Sequence, residues 1–156
     1  MKKTNAIRIL ERLNIAYQLL EFDVDENDLS AQDAAKKLGL PPDQIFKTLV
    51  ARGDKSGVIV ICIPGNSELD LKVLAKTSGN KKVDLVPLKE VHQLTGYIRG
   101  AVSPLGIKSN YPVYLDQSAF THSSIIVSAG TRGLQISLAP SDLLEVLKAY
   151  TAILSR

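Results

Sequence analysis

The feature that most constrains this chain is a pair of apolar, strand-forming runs, residues 45–50 and 58–63, separated by little more than Arg52-Gly53-Asp54-Lys55-Ser56-Gly57. Two such runs flanking a glycine-bearing turn form an antiparallel hairpin, and this one belongs in the interior. One residue breaks the pattern. In Ile45-Phe46-Lys47-Thr48-Leu49-Val50, alternation puts Lys47 on the face of Ile45 and Leu49, while Phe46, Thr48 and Val50 point the other way. A strand apolar on both sides is covered on both sides. The ammonium must therefore reach water along its stem or sit in a pocket.

Around the hairpin the signals are local. Thr4 can cap a helix running to about Leu13, with Ile7, Leu10 and Leu13 on its inner face. A strand over 15–22 follows, then the acidic loop Asp23-Val24-Asp25-Glu26-Asn27-Asp28, expected to be solvated. Ser30 and Asp33 open an alanine-rich helix that stops at Gly39. Asp70 caps another, which ends at Gly79 and carries Lys72 and Lys76 outward. Further strands are read at 83–86 and 113–115, with a short helix at 87–94 between them. Residues 96–106 hold three glycines and a proline, a composition suited to a loop whose amides approach a ligand closely. Residues 124–128 and 134–138 read as strands joined by Ala129-Gly130-Thr131-Arg132-Gly133, and Pro140 opens the last helix.

Strands and helices mix without a regular β-α-β repeat, so the expected fold is an α+β member of the α/β class, with a mixed, partly closed, twisted sheet flanked by helices. A length of 156 residues fits one domain over 1–156. A single cysteine, Cys62, excludes a disulfide framework, and its place in the second run makes it a small buried hydrophobe. The basic start, Met1-Lys2-Lys3, leads into a charged helix rather than the apolar core of a signal peptide. The expectation is a cytoplasmic protein. Net charge is only +3, but Lys72, Lys76, Lys81 and Lys82 can form a patch suited to phosphates. His92 and His122 lack metal-ligand company, and the chain has no phosphate loop of the GxxxxGK[ST] type and no GxSxG elbow. No metal or cofactor is expected.

Taken together, Phe46-Lys47-Thr48-Leu49, the loop from Gly100 through Ser103 and Pro104 to Gly106, and Val127-Ser128-Ala129-Gly130-Thr131-Arg132-Gly133-Leu134 resemble the YbaK/EbsC family of Cys-tRNA(Pro) deacylases. The resemblance spans nearly the whole chain and includes Lys37-Leu38-Gly39-Leu40, Leu69-Asp70-Leu71-Lys72 and Thr95-Gly96-Tyr97. That family is related to the editing domain of bacterial prolyl-tRNA synthetases. The resemblance implies an α/β fold with a mixed sheet, mischarged tRNA(Pro) as partner, and prolyl-tRNA synthetase as a second one. It puts the essential lysine on Lys47 and substrate contacts on Phe22, Thr48, Gly100, Ser103, Pro104, Ser128, Gly130 and Gln135. Arg132 joins the lysine patch as an expected tRNA contact. In the family mechanism the thiol of the cysteinyl group attacks its own ester, so no protein nucleophile is needed. Two positions depart from the family pattern: Phe22 stands where a tyrosine is usual, and Gln135 where an aspartate is. These departures bear on which amino acid is removed. The resemblance leaves two other readings: an editing enzyme for alanyl or seryl tRNA, and a tRNA-binding relative without turnover.

Overall fold

The computed structural model describes residues 3–156, so Met1 and Lys2 of the basic start lie outside the described residues. The elements run α1 (Asn5–Arg12), β1 (Gln18–Glu21), α2 (Ala31–Leu38), β2 (Phe46–Gly53), β3 (Gly57–Pro64), α3 (Leu71–Thr77) and β4 (Val83–Leu85), followed by α4 (Leu88–Thr95), β5 (Val113–Asp116), β6 (Ile125–Ser128), β7 (Leu134–Leu138), α5 (Pro140–Leu147) and β8 (Tyr150–Ala152). Helix starts follow the chemistry of their first residues. The hydroxyls of Thr4 and Ser30 accept from the third residue beyond, Ile7 N and Asp33 N, and the Asp70 carboxylate does the same for Val73 N. Gly39 ends α2 at φ +68°, a conformation that costs a side chain about 1–2 kcal/mol.

The strands form two sheets. One has the order β1-β7-β6 and is antiparallel; the other has the order β4-β2-β3-β5-β8 and is mixed, with β2–β3 and β2–β4 antiparallel and β3–β5–β8 parallel. The expected hairpin is β2–β3, in register from Phe46 opposite Pro64 to Gly53 opposite Gly57. Its turn is shorter than expected, because Arg52 and Gly53 belong to the strand. Asn80 braces that turn, its Oδ1 accepting from Lys55 N and Ser56 N, both at 2.9 Å. A parallel bridge between Ile45, just before β2, and Ile126 in β6 joins the two sheets.

One core lies between α1, α5 and the inner faces of both sheets, and contains Ile7, Leu10, Phe46, Cys62, Leu115, Val127 and Ile136. A second, with Ile59, Ile61, Ile63 and Leu74, fills the opposite face of β3 under α3. The two faces of the hairpin are thus covered by different layers, as its composition requires. Leu13 departs from expectation: it caps α1 and is 51% exposed, since the helix ends one residue earlier. Leu154, just after β8, is buried. Asp116 holds that end in place by accepting from Leu154 N and Ser155 N at 2.7 and 3.0 Å. Among the described residues no helix is long and apolar enough to cross a membrane.

Candidate functional site

The outer edge of β2 is only partly paired. Gly65 N donates to Ile45 O at 2.6 Å on the β3 side, and Val86 N donates to Val50 O at 3.0 Å on the β4 side. Main-chain groups alternate in direction along a strand, so those of Thr48 point away from β3, as those of Val50 do. β4 covers this edge only from Ala51 to Gly53, and the bridge to β6 covers it only at Ile45. Between them, at Thr48, no strand is paired with this edge. Here the chain leaves a cavity of about 300 Å³.

Because the cavity lies at a strand edge, residues from both faces of β2 reach it, Lys47 and Leu49 from one and Phe46 and Thr48 from the other. The Lys47 ammonium lies 3.4 Å from Gly65 O, a long contact. Partial burial lowers its pKa from the ordinary lysine value, and the nearby Glu68 carboxylate only partly opposes this. Thr48 stands opposite Cys62, with oxygen and sulfur 3.9 Å apart. Burial pushes the Cys62 thiol up to about 12, so it stays protonated and out of reach.

The opposite wall comes from the three-stranded sheet. Ser128 and Gln135 are directly paired across β6 and β7, so their side chains share a face, and both line the cavity. The Ser128 hydroxyl accepts from Gly130 N at 3.1 Å, which fixes the turn. Gln135 is largely buried where it lines the cavity. Phe22, Arg132 and Gly133 complete this side, and Gly100 faces them from the 96–106 loop. Two ties hold that loop against the Gly130 turn. Arg132 Nε donates to Arg99 O at 2.9 Å. Tyr97 is buried beneath, its hydroxyl donating to Leu105 O at 2.5 Å, and its ring fills the space a side chain at Gly130 would need.

Of the residues expected at the site, Lys47, Thr48, Phe22, Gly100, Ser128, Gln135 and Arg132 come together around the cavity, whereas Ser103, Pro104 and Gly130 do not line it. Ser103 is fully buried, and its hydroxyl accepts from Leu105 N to hold the loop's own turn. Pro104 is buried beside it. Gly130 acts from behind, through Tyr97. Lys72, Lys76, Lys81 and Lys82 also lie away from the cavity. Lys72 and Lys76 sit on the exposed face of α3, while Lys81 and Lys82 donate their main-chain N–H groups to Asp54 at the hairpin tip.

Sequence reasoning missed Asp28, the last residue of the acidic loop, with Leu29 and Ser30 after it, as well as Arg99 and the apolar rim of Leu85, Leu88 and Val91. The exposure of Leu88, at 69%, is the clearest structural sign of that rim. Among the described residues, no three His, Cys, Asp or Glu side chains stand together to hold a metal ion. Neither His92 nor His122 lines the cavity, so none of its hydroxyls has an imidazole base beside it. What the walls offer instead is a lysine, two arginines, an unpaired peptide edge and an uncharged amide. Such groups orient an ester and stabilise negative charge on its carbonyl oxygen.

The sequence matches the aminoacyl-tRNA editing domain over residues 25–146. A relative from Enterococcus faecalis, provisionally named Cys-tRNA(Pro)/Cys-tRNA(Cys) deacylase EbsC, is 52% identical over 151 residues, covering 97% of this chain and 92% of its own. The proline–tRNA ligase of Shouchella clausii is 29% identical over 132 residues, which are 84% of this chain and 23% of the ligase. Among solved structures, a protein provisionally described as a trans-editing enzyme for prolyl tRNA synthetase matches with a TM-score of 0.83 at 26% identity, covering 100% of this chain and 99% of that one.

Proposed function

This chain belongs to the aminoacyl-tRNA editing domain family, and from that premise we propose that it is a trans-editing deacylase, one 1–156 domain, that removes cysteine from mischarged Cys-tRNA(Pro) and from Cys-tRNA(Cys). Its place of work is the cytoplasm, with prolyl-tRNA synthetase as the partner that discharges its errors to it. The observation that carries the reading is the cavity itself: it is lined by Lys47, Thr48, Ser128, Gln135 and Gly100, with no hydroxyl beside a histidine among the lining residues. An aminoacyl ester is already activated, so the protein need only hold its carbonyl, stabilise developing charge and bring an attacking group close. Lys47 supplies the charge. The Gly100 loop takes the terminal adenosine, and the cations Arg99 and Arg132 at its edge suit the phosphate that follows.

The nucleophile is the substrate's own thiol. It attacks the ester carbonyl carbon, the bond from that carbon to the ribose oxygen breaks, and the ribose hydroxyl leaves with the thiol proton, releasing a thiolactone. The test is deacylation of a panel of aminoacyl-tRNAs, with product identification and with Lys47→Ala as control. Cys-tRNA should be cleaved, S-methylcysteinyl tRNA about a thousandfold more slowly, and Lys47→Ala should lose about a hundredfold or more. Equal cleavage of both esters, with free amino acid as the product, would mean that water attacks. A second reading would then hold, editing of another small amino acid, which two features of the wall favour: Phe22 brings no hydroxyl and Gln135 no charge to the cavity.

A further inference from the structure

Of all the residues lining the cavity, one is acidic. Asp28 stands where the loop after β1 turns into α2, among walls that otherwise carry the cations Lys47, Arg99 and Arg132. Its placement is fixed from three directions. Asp28 N donates to Asp25 O at 2.9 Å, and its Oδ1 accepts from Ser30 N at 3.1 Å and from the Ser30 hydroxyl at 2.6 Å. Both bonds from Ser30 fall on the same oxygen, so Oδ2 has no partner among the described residues. The Ser30 bonds, from its hydroxyl first and then its N–H, also hold the carboxyl below its ordinary pKa, so it is an anion throughout the neutral range.

The editing reading gives this lone anion a meaning, and the role assigned to Asp28 rests on that reading. An aminoacyl ester carries an α-ammonium one carbon from the carbonyl that is attacked, and phosphates at the far end of its nucleotide. Three cations suit the phosphates and the carbonyl oxygen, but they repel the ammonium. We propose that Asp28 is the seat of the substrate's α-ammonium, a specificity residue that distinguishes an aminoacyl ester with a free amine from one whose amine is blocked or missing. Seating the ammonium at Asp28 fixes the direction in which the amino acid lies. The side chain is then free to swing its terminal group toward the ester. Asp28 touches the substrate but takes no part in bond making.

Binding and turnover are tested separately. The probes are 3′-cysteinylamino-3′-deoxyadenosine, which has an amide in place of the ester, and the same molecule without its α-amine, each titrated calorimetrically into the wild-type protein, Asp28→Asn and Asp28→Glu. The wild type should bind the amine-bearing probe about tenfold or more tighter, as one charge-assisted contact provides. Asp28→Asn should lose that preference while binding the deaminated probe unchanged, and Asp28→Glu should recover part of it. Wild-type protein that binds both probes alike overturns the proposal, even if Asp28→Asn fails to fold. So does an Asp28→Asn protein that weakens both probes equally, since that is the mark of a residue that only holds the start of α2. If the wild type prefers the amine and Asp28→Asn abolishes the preference, yet Cys-tRNA is not cleaved, the ammonium seat stands and the deacylase reading falls.

Discussion

Gly130→Ala should destabilise the protein through one contact that a second substitution can remove. A β-carbon built at Gly130 lies 2.7 Å from Cε1 and 3.4 Å from Cζ of Tyr97, and the backbone there has φ +100°. Two costs follow. Overpacking against a buried ring is worth about 1–3 kcal/mol, and a non-glycine residue at this φ about 1–2 kcal/mol, so Gly130→Ala should cost about 2–5 kcal/mol. Tyr97→Leu removes the two clashing atoms, at its own cost of about 2–4 kcal/mol for lost packing and for leaving Leu105 O unpaired. In the double variant the overpacking cost vanishes but the backbone cost remains. The two changes should therefore fall short of additivity by about 1–3 kcal/mol. Tyr97→Phe is the control, because it keeps Cε1 and should add to Gly130→Ala within about 0.5 kcal/mol. Urea unfolding of the four proteins in each cycle, read at constant m-value, measures this. Additivity with Tyr97→Leu would refute the claim that Tyr97 is the strut between the two loops.

Two further outcomes follow from burial. Lys47 should lose its proton below the ordinary lysine value of 10.5, because desolvation outweighs Glu68, and Glu68→Gln should lower it again. Between the lowered value and 10.5 the unfolded chain binds more protons than the folded one, so this group's contribution to stability rises with pH across that window and its desolvation cost is present in full below it. A side-chain NMR titration of Lys47 giving 10.5 or higher would contradict this. Cys62, with its thiol pushed up to about 12, should resist iodoacetamide under native conditions and react once the protein is unfolded. Rapid native labelling would show that the hairpin opens.

Local features were legible in the sequence because their causes are local. Thr4, Ser30 and Asp70 cap helices in the structure as their positions suggest, and the β2–β3 and β6–β7 hairpins have the expected strands. The division into two sheets was not legible, nor was β8, since pairing between distant segments leaves no local signature. The same holds for the site. Alternation marked Lys47 as out of place, but only the family resemblance linked it to Gly100, Ser128 and Gln135, which lie 53 or more positions away along the chain. Asp28 was hidden for the opposite reason: it sits in a run of acidic residues, where composition suggests only solvation. Lys72, Lys76, Lys81 and Lys82 were legible as exposed charge, but a charged face says nothing about which way it points relative to a cavity.

The unpaired stretch of β2 around Thr48 has a cost separate from any chemistry. A strand edge with free N–H and C=O groups is a template for another strand, and the usual protections are charge, proline, a bulge or a cover. Here the cover is the site's own superstructure, made of α4, the 98–102 segment and the start of α2. Selection on this region therefore acts on solubility as well as turnover. Substitutions that loosen Tyr97, Arg132 or the packing of α4 should make the protein prone to self-association in proportion to how far they uncover Thr48. Wall positions outside that cover, such as Phe22 and Gln135, are free to vary with the substrate.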